Sequence, residues 1–254
     1  MRRATDSLRN RLIFALDVDR LAEAERLVQL LSPEVGTFKI GKQLFLQSGP
    51  EVVRMVHRHA RDVFLDLKFH DIPSTVAKAG VEAARLGVRF FDLHASGSLA
   101  MMSRTRADVA RACRREGLRR PRILAVTVLT SLARRDLRLV GVDDDVEDQV
   151  VRLARLARRA EMDGVVASPL EIARIRRQAG PGFVIVTPGI RPPTAAVDDQ
   201  KRVLTPGEAM RAGADYLVVG RPIRDAPDPL RVAQEVLADM ARGVLASRAR
   251  PGGR

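Results

Sequence analysis

Short apolar runs rich in β-branched and aromatic residues recur along the chain. Each is followed by a stretch in which apolar positions return every three or four residues. The first pattern predicts strands over 11–17, 37–40, 63–68, 89–94, 122–129, 164–168, 183–187 and 215–220. The second predicts helices over about 20–31, 43–60, 74–87, 98–116, 147–160, 170–179, 206–213 and 229–245. Eight strand–helix alternations with short connections predict parallel βαβ units closed into a single (β/α)8 TIM barrel. An open doubly wound sheet is the alternative, but no glycine-rich dinucleotide fingerprint follows the first strand. No composition shift marks a second domain. The barrel is expected over 11–245, between a basic N-terminal extension at 1–10 and a basic, disordered tail at 246–254.

A barrel of this kind carries its chemistry at the C-terminal ends of its strands. The third strand breaks there from Val63-Phe64-Leu65 into DLKFHDIPSTV at 66–76. Asp66 and Lys68 stand two apart, on one strand face, and Asp71 follows in the loop before a helix that starts near Pro73. An ordinary surface ion pair at a solvated strand end would stabilise little. Asp17, Lys39 and His94, however, end strands one, two and four. Charge repeated at four successive strand ends points to a site. Strands seven and eight end differently, in TPGIRP at 187–192 and VVGRPI at 218–223. Glycine beside arginine offers a phosphate close backbone approach, N–H groups and a bidentate cation. The loops at 130–146 and 190–204 are long and polar enough to overhang the mouth.

Composition narrows the partners. The formal net charge is +13, but only five of the 44 basic residues are lysine, and the arginines are spread over helices and both ends. With no Trp and the single Tyr216, stacking platforms for nucleic acid are poorly supplied, and no nucleic-acid partner is expected. The charge can still steer small anions inward. A lone Cys113 excludes an intrachain disulfide framework and fits a reducing, cytoplasmic setting. Runs such as LIFAL at 12–16 are too short to span a bilayer, and MRRATDSLRN leads into no stretch of secretory-signal length. His57 and His59, two apart on a helix, do not share a face, and His70 is read as orienting its loop. With no ligand cluster at metal spacing, no metal is expected.

Seven segments then resemble one family, in order, from Leu12 to Ile223. They are DLKFHDIPSTV, FKIG at 38–41, HASG at 94–97, VTVLTS at 126–131, VTPGIRP at 186–192, DDQKRVLTP at 198–206 and VVGRPI at 218–223. The family is orotidine 5′-phosphate decarboxylase, of the bacterial type. The resemblance implies a homodimeric (β/α)8 barrel that converts orotidine 5′-monophosphate to UMP and CO2 without a cofactor, the last step of de novo UMP synthesis. It implies that Lys39, Asp66, Lys68 and Asp71 form an alternating charged array, with Asp71, Ile72 and Thr75 given to the neighbouring subunit's site. Asp17 would bind the ribose, Thr130 or Ser131 the pyrimidine, and Arg191, Gln200, Gly220 and Arg221 the phosphate.

The chemistry stands beside that resemblance. Loss of CO2 from C6 of a pyrimidine leaves a carbanion in the ring plane, where the π-system cannot delocalise it, so stabilisation must be electrostatic. An ammonium at Lys68 stabilises that charge and then supplies the proton that replaces CO2, with Asp66 and Asp71 aiming it. Sugar-phosphate enzymes such as 3-keto-L-gulonate 6-phosphate decarboxylase and hexulose-phosphate synthase share the Asp-x-Lys-x-x-Asp motif. They use Mg²⁺ and place an acidic ligand at the end of strand two, where this chain has Lys39. A non-catalytic basic barrel that binds nucleic acid would explain the net charge but not the carboxylates at the mouth.

Overall fold

A computed structural model describes residues 8–192 and 204–248. Among them are eight strands: β1 Leu12–Ala15, β2 Thr37–Gly41, β3 Asp62–Phe69, β4 Phe90–His94, β5 Arg122–Val126, β6 Gly164–Val166, β7 Val184–Thr187 and β8 Tyr216–Val219. Each pairs in parallel with the next, and β8 returns to β1 to close the barrel. The helices outside it are α1 Leu21–Leu31, α2 Lys42–Ser48, α3 Glu51–Arg58, α4 Pro73–Arg85, α5 Leu99–Glu116 and α6 Arg134–Leu139. They continue with α7 Val146–Arg159, α8 Ile172–Ala179, α9 Pro206–Ala212, α10 Arg221–Arg224 and α11 Pro229–Arg248.

Three elements depart from the sequence reading, one of them the short helix α10, which was not expected. The single helix expected over 43–60 is split into α2 and α3, because Gly49 at φ 58° caps α2 and Pro50 cannot continue it. The loop after strand five carries the short helix α6. The folded unit also starts before residue 11. Leu8 is buried in the core, Arg9 pairs with Glu34 at 3.0 Å, and at the other end α11 runs past residue 245. Residues 1–7 and 249–254 lie outside the described residues. Among those described, no helix is long and apolar enough to cross a membrane.

Strand alternation divides the buried side chains into two sets. Phe14, Phe38, Ile40, Leu65, Phe91, Ile123, Ile185 and Leu217 belong to the larger cluster, packed between barrel and helices. Ile13, Ala15, Phe64, Phe90, Leu124, Val186, Tyr216 and Val218 form a separate cluster on the barrel axis. Side chains in a strand repeat with a period of two, so the next inward positions after Ala15, Phe64 and Phe90 are Asp17, Asp66 and Asp92. The apolar axis layer is thus the floor on which a charged layer stands.

Candidate active site

Four of the expected residues meet in one line across β1–β3. Lys39 Nζ lies 3.1 Å from Asp17 Oδ1 and 3.0 Å from Asp66 Oδ2, while Lys68 Nζ bonds Asp66 Oδ1. Charges therefore alternate along Asp17, Lys39, Asp66 and Lys68, and each oxygen of Asp66 has its own ammonium. Burial alone would raise the Asp66 pKa. The charge of Lys39, a hydrogen bond with Asp92 and the charge of Lys68 outweigh it and hold the carboxyl well below the usual range. Lys39 shows the converse. Burial acts to lower its pKa, but Asp66 and Asp17 together keep it above the ordinary lysine value.

Regular pleating does not place Lys68. Leu65 pairs with Phe91 but Phe69 pairs with Leu93, so β3 carries two extra residues against β4 in a bulge. Within that bulge Lys68 takes φ 51°, a left-handed conformation uncommon for a residue bearing Cβ. What holds it is Asp92 of β4, whose Oδ1 accepts the Lys68 backbone N–H at 2.8 Å. Asp92 was not anticipated as a site residue. The signal was present in FFDLH at 90–94, where a period of two from Phe90 puts Asp92 on the barrel axis one layer below His94.

His94 flanks this array without joining the ion pairs. Its ring packs against His70 at 5.2 Å between centroids, and its pKa is lowered to about 4 by burial, with His70, Lys68 and Lys42 adding to the effect. It is neutral at physiological pH. Asp71 stands apart too. Its Oδ1 accepts the N–H of Ile72 at 2.6 Å, and Asp71, Ile72 and Thr75 lie exposed on the loop and first turn of α4. Ile72 is 63% exposed, an unusual position for a large apolar side chain.

Two cavities share Lys39, Asp66 and Lys68 as a common wall. One, of about 170 Å³, is lined mainly by Val126, Val128, Val166, Val218 and Pro188, with Thr130 and Ser168 as its uncharged polar members. The other, of about 260 Å³, opens toward β1 and β2 between Asp17, Lys42 and Gln43. The first is mostly apolar and of ring size; the second has five charged side chains on its wall. Thr130 lines the ring-sized cavity; Ser131 lines only a separate depression beneath α6, with Arg134 and Glu147. Ser168 went unnoticed in the sequence, yet it is buried there with no hydrogen-bond partner for its Oγ among the described residues. A larger groove, about 400 Å³, lies on the outer face between α7 and α8, away from every charged strand end.

The glycine–arginine segments flank the same mouth. Gly189 has φ 78°, which the turn after β7 demands of it, and Arg191 follows, its N–H bonded to Leu204 O at 3.1 Å. A Cβ at Gly220 would meet Ala15 at 3.3 Å and Asp17 at 3.7 Å, so the bare backbone keeps that corner open. Arg221 opens α10, and Arg224 in the same turn donates to Asp17 O at 2.6 Å. Gln200 lies outside the described residues.

Comparison with known proteins agrees with this geometry. The profile of the "Orotidine 5'-phosphate decarboxylase / HUMPS family" matches residues 10–236. The chain is 57% identical over 239 residues to the orotidine 5′-phosphate decarboxylase of Pelobacter propionicus, covering 94% of this chain and 98% of the relative. It is 55% identical over 238 residues to that of Geobacter sulfurreducens, with coverage of 94% and 99%. Among solved structures, orotidine 5′-phosphate decarboxylase from Lactobacillus acidophilus superposes with a TM-score of 0.80 at 34% identity, over 90% of this chain and 98% of that one. On the profile match, the near full-length identity and the shared barrel, the chain belongs to the orotidine 5′-phosphate decarboxylase family.

Proposed function

We infer that this protein decarboxylates orotidine 5′-monophosphate to UMP and CO2, the closing step of de novo UMP synthesis. The observation that carries the reading is the Asp17–Lys39–Asp66–Lys68 line on an apolar floor, in a chain 57% identical to a named orotidine 5′-phosphate decarboxylase. The pyrimidine enters the cavity lined by Thr130 and Ser168, and the ribose faces Asp17. The C6–carboxylate bond breaks with its electron pair left on C6, and CO2 departs. The Lys68 ammonium stabilises that pair and then gives C6 a proton. Asp66 aims Lys68 through their shared hydrogen bond. Its own charge, close to the substrate carboxylate, also opposes the ground state more than the transition state.

Arg191, Gln200, Gly220 and Arg221 grip the phosphate, remote from C6. The energy of that grip, gained away from the reacting carbon, holds the pyrimidine against the charged line. The exposed trio Asp71, Ile72 and Thr75 supports a homodimer in which each subunit lends these residues to the other's site. No cofactor enters these steps. Lys39, fixed between two carboxylates, sets a cation where a divalent metal would need a ligand. A cytoplasmic setting accompanies the reading. The test is the loss of orotidine 5′-monophosphate absorbance with purified protein in EDTA: full turnover is expected. A requirement for added Mg²⁺, or turnover of a keto-sugar phosphate in its place, would overturn it.

A further inference from the structure

The bulge in β3 needs an explanation that the ion pairs do not supply. Three residues, Asp66, Leu67 and Lys68, stand against the single Asp92 of β4, so the regular ladder has no carbonyl for the Lys68 N–H. Asp92 Oδ1 takes that N–H at 2.8 Å. Asp92 is fully buried, and its other oxygen, Oδ2, has no donor among the described residues. On the β5 side its neighbour is Leu124, which offers nothing polar from its side chain. What remains in reach is Asp66, one of the three residues facing Asp92 across the bulge, whose carboxyl interacts with that of Asp92. Two carboxyl groups can share a hydrogen bond only if one of them carries a proton. Asp66 faces two ammonium groups, whereas Asp92 accepts one backbone N–H in an apolar wall.

We propose that Asp92 is a positioning residue that keeps its proton at neutral pH, donating it in a hydrogen bond to Asp66 while its carbonyl oxygen holds the Lys68 N–H. One neutral side chain thereby fixes both partners of the Lys68–Asp66 pair: the backbone of one and the carboxylate of the other. The titratable groups acting on Asp92 are Asp66 and Lys68. Burial and then the Asp66 charge drive its carboxyl well above the usual range, which agrees with the geometry. The inference rests on the reading of Lys68 as the proton donor only where activity is concerned; the location of the proton is independent of it.

An amide reproduces both contacts, since Asn offers a carbonyl to Lys68 and an N–H to Asp66, and leucine reproduces neither. Asp92→Asn is therefore expected to keep kcat within about threefold of the parent, and Asp92→Leu to lose at least about 100-fold in kcat, the scale of a misplaced reacting group. UMP affinity should change far less than kcat in both. Stability separates a proton from a charge. The folded parent retains a proton that the unfolded chain releases above the ordinary carboxylate pKa, so this site destabilises the parent increasingly as pH rises. Asp92→Asn should raise the thermal midpoint at neutral pH, with the advantage shrinking as pH falls toward 4. Infrared difference spectra at neutral pH should show a protonated-carboxyl band in the parent that is missing from Asp92→Asn. Absence of that band, an amide variant as slow as Asp92→Leu, or a leucine variant within threefold of the parent would each overturn the proposal. If Asp92→Leu does not fold, the band and the amide's pH profile still decide. If Lys68→Ala proved active while the band and profile held, the role of Lys68 would fall and the proton at Asp92 would stand.

Discussion

Both ends of the barrel carry charged clusters, and β3 and β4 contribute to each. At the N-terminal end Arg89 pairs with Asp62 at 2.9 Å and donates to the Tyr216 hydroxyl at 3.1 Å, and Arg122 donates to the same hydroxyl at 3.0 Å. The Arg89 guanidinium also lies 5.2 Å from the Phe90 ring centre and 5.4 Å from that of Tyr216. Here regular strands bring each cation to an acceptor, and two rings face the Arg89 guanidinium. At the C-terminal end β3 bulges, Lys68 is left-handed, and the buried carboxyls of Asp66 and Asp92 act on each other. The first cluster is arranged for satisfaction. The second holds groups in states they would not choose alone, which a fold maintains where chemistry is done. Strain and protonation separate the two ends.

Four experiments break or sharpen that contrast. The largest effect belongs to Lys68→Ala, which should lose at least about five orders of magnitude in kcat/KM, on the order of 7 kcal/mol of transition-state stabilisation. UMP binding should fall far less, and activity within tenfold of the parent would make the C-terminal cluster as structural as the other. Next comes subunit mixing. Lys68→Ala and Asp71→Ala proteins, each inactive, should regain about a quarter of parental activity on random re-association, because each mixed dimer has one site with both residues intact. No recovery after verified exchange would return Asp71 to its own chain.

Arg221→Ala should weaken UMP by roughly 2–4 kcal/mol, the loss of a charge-assisted pair in a closed site. Turnover of orotidine, which lacks the phosphate, should hardly change, and added phosphite should activate it in the parent more than in the variant. Equal slowing of both substrates would show that Arg221 acts on the chemistry or the barrel. The smallest effect lies at the far end. Tyr216→Phe removes the acceptor of two arginines and should cost about 1–3 kcal/mol of stability in thermal or denaturant unfolding. Its kcat should stay within twofold of the parent; a drop of tenfold or more would mean that the two clusters are coupled through the axis layer.

Much of this was legible in the chain. Eight apolar runs separated by helical periodicity specify the barrel, because parallel strands covered on both faces must be apolar nearly throughout. The charges that interrupt those runs at Asp17, Lys39, Asp66 and Lys68 are conspicuous for the same reason, and all four meet. Gly49-Pro50 was equally readable as a helix break, but the apolar periodicity on either side disguised it.

Local pattern determines which residues face inward, since the side-chain period of a strand is a property of the backbone itself. It cannot determine register between strands, and on register everything particular to this site depends. The bulge exists because five residues from Leu65 to Phe69 must match three from Phe91 to Leu93. The left-handed Lys68 and the bond of its N–H to Asp92 follow from that mismatch, on an Asp92 that strand periodicity already turns inward. Whether Thr130 or Ser131 reaches the ring-sized cavity likewise turned on how the chain leaves β5, and tertiary packing chose Thr130. A carboxyl's protonation state is set by the groups that folding brings beside it, so the sequence names the acid while only the assembled barrel decides whether it keeps its proton.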